Sequence, residues 1–186
     1  MRFPGIVDAW RIPKLSAFLL KALFDDRPCL LIAGDWSEAA GATARELHVL
    51  SNCGRVAISP AGKTVHMLEP DPYAVCSVEF SGEQVDAEGT WNDQAVTHSL
   101  EPWGPATALR AQCSAPADDL HEIAWLDIEA VDARGNNVLD YSSDAEVRVH
   151  GPAQVLCHRE SGLIPIERGM GRAYVQGADQ SGEITF

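Results

Sequence analysis

Two different spacings of apolar residues divide this chain. Near the start, Lys14 to Asp25 runs without glycine, proline or a β-branched residue, and Pro13 suits the first turn of a helix. Leu15, Phe18, Leu19, Ala22 and Leu23 recur at i, i+3, i+4, i+7 and i+8, the face of a buried helix. Ala17, Leu20 and Phe24 cover much of the opposite side, which leaves Lys14, Lys21 and Asp25 as one narrow polar stripe. A helix apolar over most of its girth expects protein on two sides. The rest of the chain can supply one of them; the second is expected to be a partner that this polypeptide does not contain.

From Pro28 the pattern shortens to β-rich segments separated by turn residues. Strands are predicted at 29–33, 44–50, 55–59, 64–68, 73–80, 85–91 and 95–100. Gly34-Asp35, Asn52-Cys53-Gly54, Pro60-Ala61-Gly62, Asp71-Pro72, Ser81-Gly82 and Asn92-Asp93 supply the turns between them. Such regular spacing predicts two packed antiparallel sheets. Glu101-Pro102-Trp103-Gly104-Pro105 reads as a stiff boundary. A second β series is predicted at 106–113, 122–131, 145–150, 154–157, 171–176 and 183–186. Within it, Ala124, Leu126, Ile128 and Ala130 alternate with Asp127 and Glu129, the mark of a half-buried strand. The expected organisation is mainly β: a helical stretch over 1–27, a β-sandwich over 28–103 and an immunoglobulin-like β-sandwich over 104–186.

Composition narrows the function classes. Fourteen basic against 27 acidic residues give a formal charge of −13, and a surface this acidic repels phosphate backbones and anionic lipid. Neither nucleic acid nor a membrane is an expected partner, and no apolar run is long enough to span a bilayer. No signal peptide is predicted after Met1, and the close at Phe186 within an apparent strand suggests a piece of a longer protein. The five cysteines form no C-x-x-C pair and no cluster with histidine, so no structural zinc is expected. They read as buried thiols in strands, with one long-range disulfide such as Cys53–Cys76 as the alternative.

Catalytic motifs are missing. There is no G-x-S-x-G, H-E-x-x-H, P-loop or G-x-G-x-x-G, and no cofactor is expected. Acidic pairs such as Asp25/Asp26 and Asp118/Asp119 fall in turns and read as solvated surface, with a loop calcium site at the latter pair as the sharper alternative. His150, His158 and Glu160 lack a further ligand to complete a metal shell. Among the tryptophans, Trp36, Trp10 and Trp91 are the candidates for contact with a carbohydrate or a neighbouring domain, because an indole can stack on a sugar ring. Trp36, in the loop Gly34-Asp35-Trp36-Ser37, is the foremost of them, and domain packing is the reading favoured over sugar binding.

The order of several short motifs resembles the C-terminal portion of family-2 glycoside hydrolases of the bacterial β-galactosidase type. Gly5-Ile6-Val7-Asp8, then Pro13-Lys14 and Lys21, are similar to the loop and closing helix at the end of that family's catalytic barrel. Ser51-Asn52-Cys53 and Gly62-Lys63 match its first sandwich, with Pro60-Ala61 in place of the usual Leu-Asn. The segment 124–135, Val147–Ala153, Gly171-Arg172-Ala173 and Gly182-Glu183-Ile184-Thr185 match its last immunoglobulin-like domain. The resemblance implies that the catalytic glutamates lie on barrel strands ahead of Met1, so no catalytic residue is assigned here and the chain alone is expected to be inactive. It implies a structural role, with the missing barrel as partner and a second copy of the chain as a further contact.

Overall fold

A computed structural model describes residues 5–8, 11–39, 41, 43–64, 66–114, 123–156 and 163–177. The chain divides into two units, Met1–Trp103 and Gly104–Phe186. Strand predominates, and the one helix among the described residues is α1, Leu15–Phe24.

The first unit holds β1 (Leu30–Gly34), β2 (Ala44–Ser51), β3 (Val56–Pro60), β4 (His66–Leu68), β5 (Tyr73–Glu79), β6 (Val85–Trp91) and β7 (Gln94–Leu100). They form two antiparallel sheets, ordered β1-β2-β5 and β4-β3-β6-β7. Alternation sets the inner faces. Ile32, Leu47, Val49 and Val78 from one sheet and Val56, Ile58, Val85 and Ala87 from the other are almost wholly buried. Gly34 is required where it stands, since a Cβ there would lie 2.6 Å from the Glu46 carbonyl oxygen. The β6–β7 turn uses Asn92 and Asp93, both at positive φ (46° and 63°), as a tight hairpin demands. Leu50, on the opposite face of β2, is also buried, and α1 is the element packed against that strand.

The second unit holds β8 (Ala108–Ser114), β9 (Ile123–Val131), β10 (Ser143–Glu146), β11 (Ala153–Leu156), β12 (Leu163–Ile166) and β13 (Met170–Gly177). Its sheets are ordered β11-β13-β9-β8 and β10-β12. Leu126, Ile128, Ala145, Ile164, Ile166 and Ala173 make one core, with Tyr141, Val147 and Val155 packed against it.

Two expectations need correction here. The strand predicted at 145–150 lies at Ser143–Glu146 instead, and Val147 reaches the core without pairing in a ladder. Strand β12, Leu163-Ile164-Pro165-Ile166, was not expected, because it lacks alternation and contains proline. Among the described residues its sheet pairs β12 with β10 alone, and proline, which has no N–H to give to a ladder, is tolerated in such an edge position. The strand expected at 183–186 lies outside the described residues.

Arg168 (φ 53°) and Gly169 (φ 73°) turn the chain from β12 into β13. A Cβ on Gly169 would overlap the Val138 carbonyl. Gly169→Ala should therefore destabilise the second unit by about 2 kcal/mol or more, combining left-handed strain with that clash. Urea denaturation measures it, and an unchanged midpoint would show that the turn relaxes freely.

Candidate functional site

The structure separates the three candidate tryptophans. Trp36 is 0% exposed. Its indole nitrogen donates to the Glu83 carbonyl at 2.8 Å, and Phe80 meets its ring edge-on at 5.0 Å. The Arg45 guanidinium lies 5.0 Å from the other partner in this stack, the Phe80 ring, and donates to the Ser37 carbonyl. With no free ring face, Trp36 cannot stack on a sugar; this corrects the expectation of a contact surface. Its loop also holds the end of the unit, since Glu38 N–H donates to the Trp103 carbonyl at 2.9 Å. Trp91 is half-buried at the tip of β6, beside the hairpin turn and opposite Gln94. Trp10 lies outside the described residues, as do Asp118, Asp119, His158 and Glu160.

A different surface stands out. On α1, Ala22 is buried, and Phe18 and Leu19 are half-buried. Leu20 (38%), Leu23 (50%) and Phe24 (79%) remain exposed along one side, while exposed Leu15 lies across the helix axis from Phe24. This free apolar face is held rigidly at both ends. Ahead of the helix, Val7 bridges Pro13, and the Asp8 carboxylate accepts the Ile12 N–H at 2.8 Å. Behind it, Asn52 clamps the connector into β1: its amide donates to the Arg27 carbonyl at 2.9 Å and its oxygen accepts the Cys29 N–H at 2.8 Å. Ser51 donates to the Cys29 carbonyl and accepts from the Cys53 N–H. The Ser-Asn-Cys triplet read from the sequence is thus the anchor of the helix connector, a role that only the β1–β2 pairing makes visible.

Among the described residues the titratable groups form no catalytic pair. Asp25 is held below its ordinary pKa by the side-chain hydrogen bond from Arg27 at the helix end. Burial raises the Cys29 and Cys76 thiols, and Cys29, Cys53 and Cys76 carry free thiols; the alternative Cys53–Cys76 disulfide is not formed. Cys157 lies outside the described residues. On the outer face of β2 and β5, Tyr73 Oη lies 2.7 Å from His48 Nδ1, and Glu46 lies 3.6 Å from His48 Nε2. Sequence reasoning missed this trio, because Tyr73 meets His48 only diagonally across the ladder. Among the described residues, no group of three or more His, Cys, Asp or Glu side chains could hold a metal ion.

No family model matches the chain. It is 28% identical over 202 aligned residues to a beta-glucuronidase of Formosa agariphila, an alignment that covers 100% of this chain and 20% of that protein. A beta-glycosidase from Bacteroides vulgatus superimposes with a TM-score of 0.86 at 18% identity, covering 97% of this chain and 25% of its own. A glycosyl hydrolase family 2 member from Bacteroides cellulosilyticus gives 0.82 at 17% identity, covering 97% and 30%. A beta-glucuronidase from glycoside hydrolase family 2 gives 0.79 at 25% identity, covering 97% and 20%. The chain therefore spans under a third of the length of each of these proteins. Over nearly all of its length it has the fold of a portion of the family-2 glycoside hydrolases.

Proposed function

We propose that this chain is the non-catalytic C-terminal β-sandwich region of a family-2 β-glycosidase, and that α1 seats it against the catalytic part of the parent enzyme. The free apolar face of α1 carries this reading. Covering a side chain such as Phe24 gains about 1.5–3 kcal/mol, and water is a poor permanent neighbour for Leu20, Leu23 and Phe24, which neighbour one another at i, i+3 and i+4 on a clamped helix. The alignment supports it too, because relatives several times longer match this chain from end to end. The motif order favours a β-galactosidase-type parent, while the curated relative is a beta-glucuronidase, so either sugar is open to assay. A second copy of the chain is the other surface that α1 could meet.

Purified alone, the chain should not turn over 4-nitrophenyl β-galactoside or β-glucuronide. It should bind a hydrophobic dye through α1, and Leu23→Asp with Phe24→Asp should abolish that binding while leaving the β-sheet circular dichroism intact. Saturable glycoside turnover by the isolated chain would overturn the proposal.

A further inference from the structure

The two sheets of the first unit meet along one side, where edge strand β1 runs beside edge strand β7. There the Ile32 N–H donates to Nδ1 of His98 at 3.4 Å. This bond ties the strand that follows the α1 connector to the opposite sheet. We propose that His98 is a pH-sensitive latch on this seam: neutral, it holds β1 and with it the α1 face; protonated, it releases them.

The chemistry follows from the ring. Neutral imidazole accepts at one nitrogen and donates at the other, so accepting from Ile32 places the proton on Nε2. Protonation puts a hydrogen on Nδ1, and two donors then face each other across the seam. It also places a charge among the inward side chains of the sandwich. Ala87 stands opposite His98 on β6, with Val85 and Gly89 on the same face. Val96 and Leu100 flank it on β7, and β1 is Leu-Leu-Ile-Ala-Gly, without a charge. The nearest carboxylates of β6, Asp86 and Glu88, alternate onto the opposite face, where Asp86 accepts from Ser99. No carboxylate on these strands therefore faces the ring to stabilise an imidazolium, and burial lowers the His98 pKa below its ordinary 6.5. The sign is definite: the neutral ring supports the fold fully above pH 6.5, and that support is lost as pH falls through the lowered value.

The consequence for α1 rests on the docking reading above, but the latch can be tested without any docking partner. In the isolated 186-residue chain, NMR should show the His98 Cε1–H shift and the Ile32 amide shift titrating together, with a midpoint below 6.5. Corrected for intrinsic rates, hydrogen-exchange protection at Ile32 should fall by up to about tenfold per pH unit between 6.5 and that midpoint and level off below it, and protection in Leu15–Phe24 should fall with it. His98→Gln, which keeps an acceptor but does not titrate, should flatten both profiles. An Ile32 amide that ignores the His98 titration, or an unchanged pH profile in His98→Gln, would overturn the latch. A normal latch in a chain that fails to meet the catalytic part would instead overturn the docking reading alone.

Discussion

Replacing Trp36 with alanine should destabilise the first sandwich by about 3–5 kcal/mol, the largest effect expected of any single change in this chain. Three losses add. The indole is fully buried, so its removal leaves a cavity beside Phe80. The Glu83 carbonyl loses its donor, and Phe80 loses an edge-on partner while keeping the Arg45 guanidinium. Domains of this size are stable by roughly 5–15 kcal/mol in all, so the variant should unfold its first unit under mild urea while the second persists. Near-ultraviolet circular dichroism and urea titration would show two transitions where the parent chain shows them closer together. A binding role for Trp36 predicts the reverse: unchanged stability and a lost ligand. Trp36→Phe, which keeps the ring but not the N–H, should cost less than Trp36→Ala.

Asp132 carries the second large effect. Its side chain is 3% exposed. Burial alone would raise its pKa, but hydrogen bonds from the backbone amides of Gly104, Asn136 and Arg134, with the Arg134 side chain, outweigh that and hold it at about 2, down from 3.8. The amide bonds are short, at 3.0 Å from Gly104, 2.8 Å from Arg134 and 2.9 Å from Asn136. They matter more than the ion pair, because Arg134 is half exposed and screened by water. Asp132→Ala leaves these amides without their acceptor and should cost the second unit about 2–3 kcal/mol.

The pH dependence of Asp132 follows from the direction of its shift. A carboxyl with a depressed folded pKa stabilises the fold above its ordinary pKa of 3.8, and that contribution is lost as pH falls through about 2. The gap corresponds to about 2 kcal/mol. Asp132→Asn keeps an oxygen for Arg134 and Asn136 but turns an NH₂ toward Gly104, so it should lose both stability and this acid limb. The Asp132 contribution begins to fail only below 3.8, whereas that of His98 begins to fail below 6.5, and acid titration of the two single variants should separate them. An acid limb that persists in Asp132→Asn would refute the assignment.

Much of this was legible in the residues. The uninterrupted run after Pro13 gave the helix, found at Leu15–Phe24. Period-2 alternation and paired turn residues placed β6 at its observed bounds and β2, β7 and β9 within a residue of theirs. The order of weak motifs pointed to the family, a conclusion the aligned relative and the solved structures support. Strand β12 escaped, because Pro165 and a length of four residues mask a signal that depends on repetition.

The site was less legible than the fold. Trp36 looked like a surface feature because loop residues usually are, yet its loop folds inward onto Phe80 and Glu83, residues more than forty positions away in sequence. Apolar spacing along a chain depends on local backbone geometry, and so the sequence by itself determined the helix, most strands, the turns and the two-sided apolar character of α1. Which side of α1 is covered, what Asn52 clamps, and which amide His98 accepts depend on strands far apart in the chain being brought together. Pairing register and sheet packing decide those contacts, and only the tertiary structure holds them.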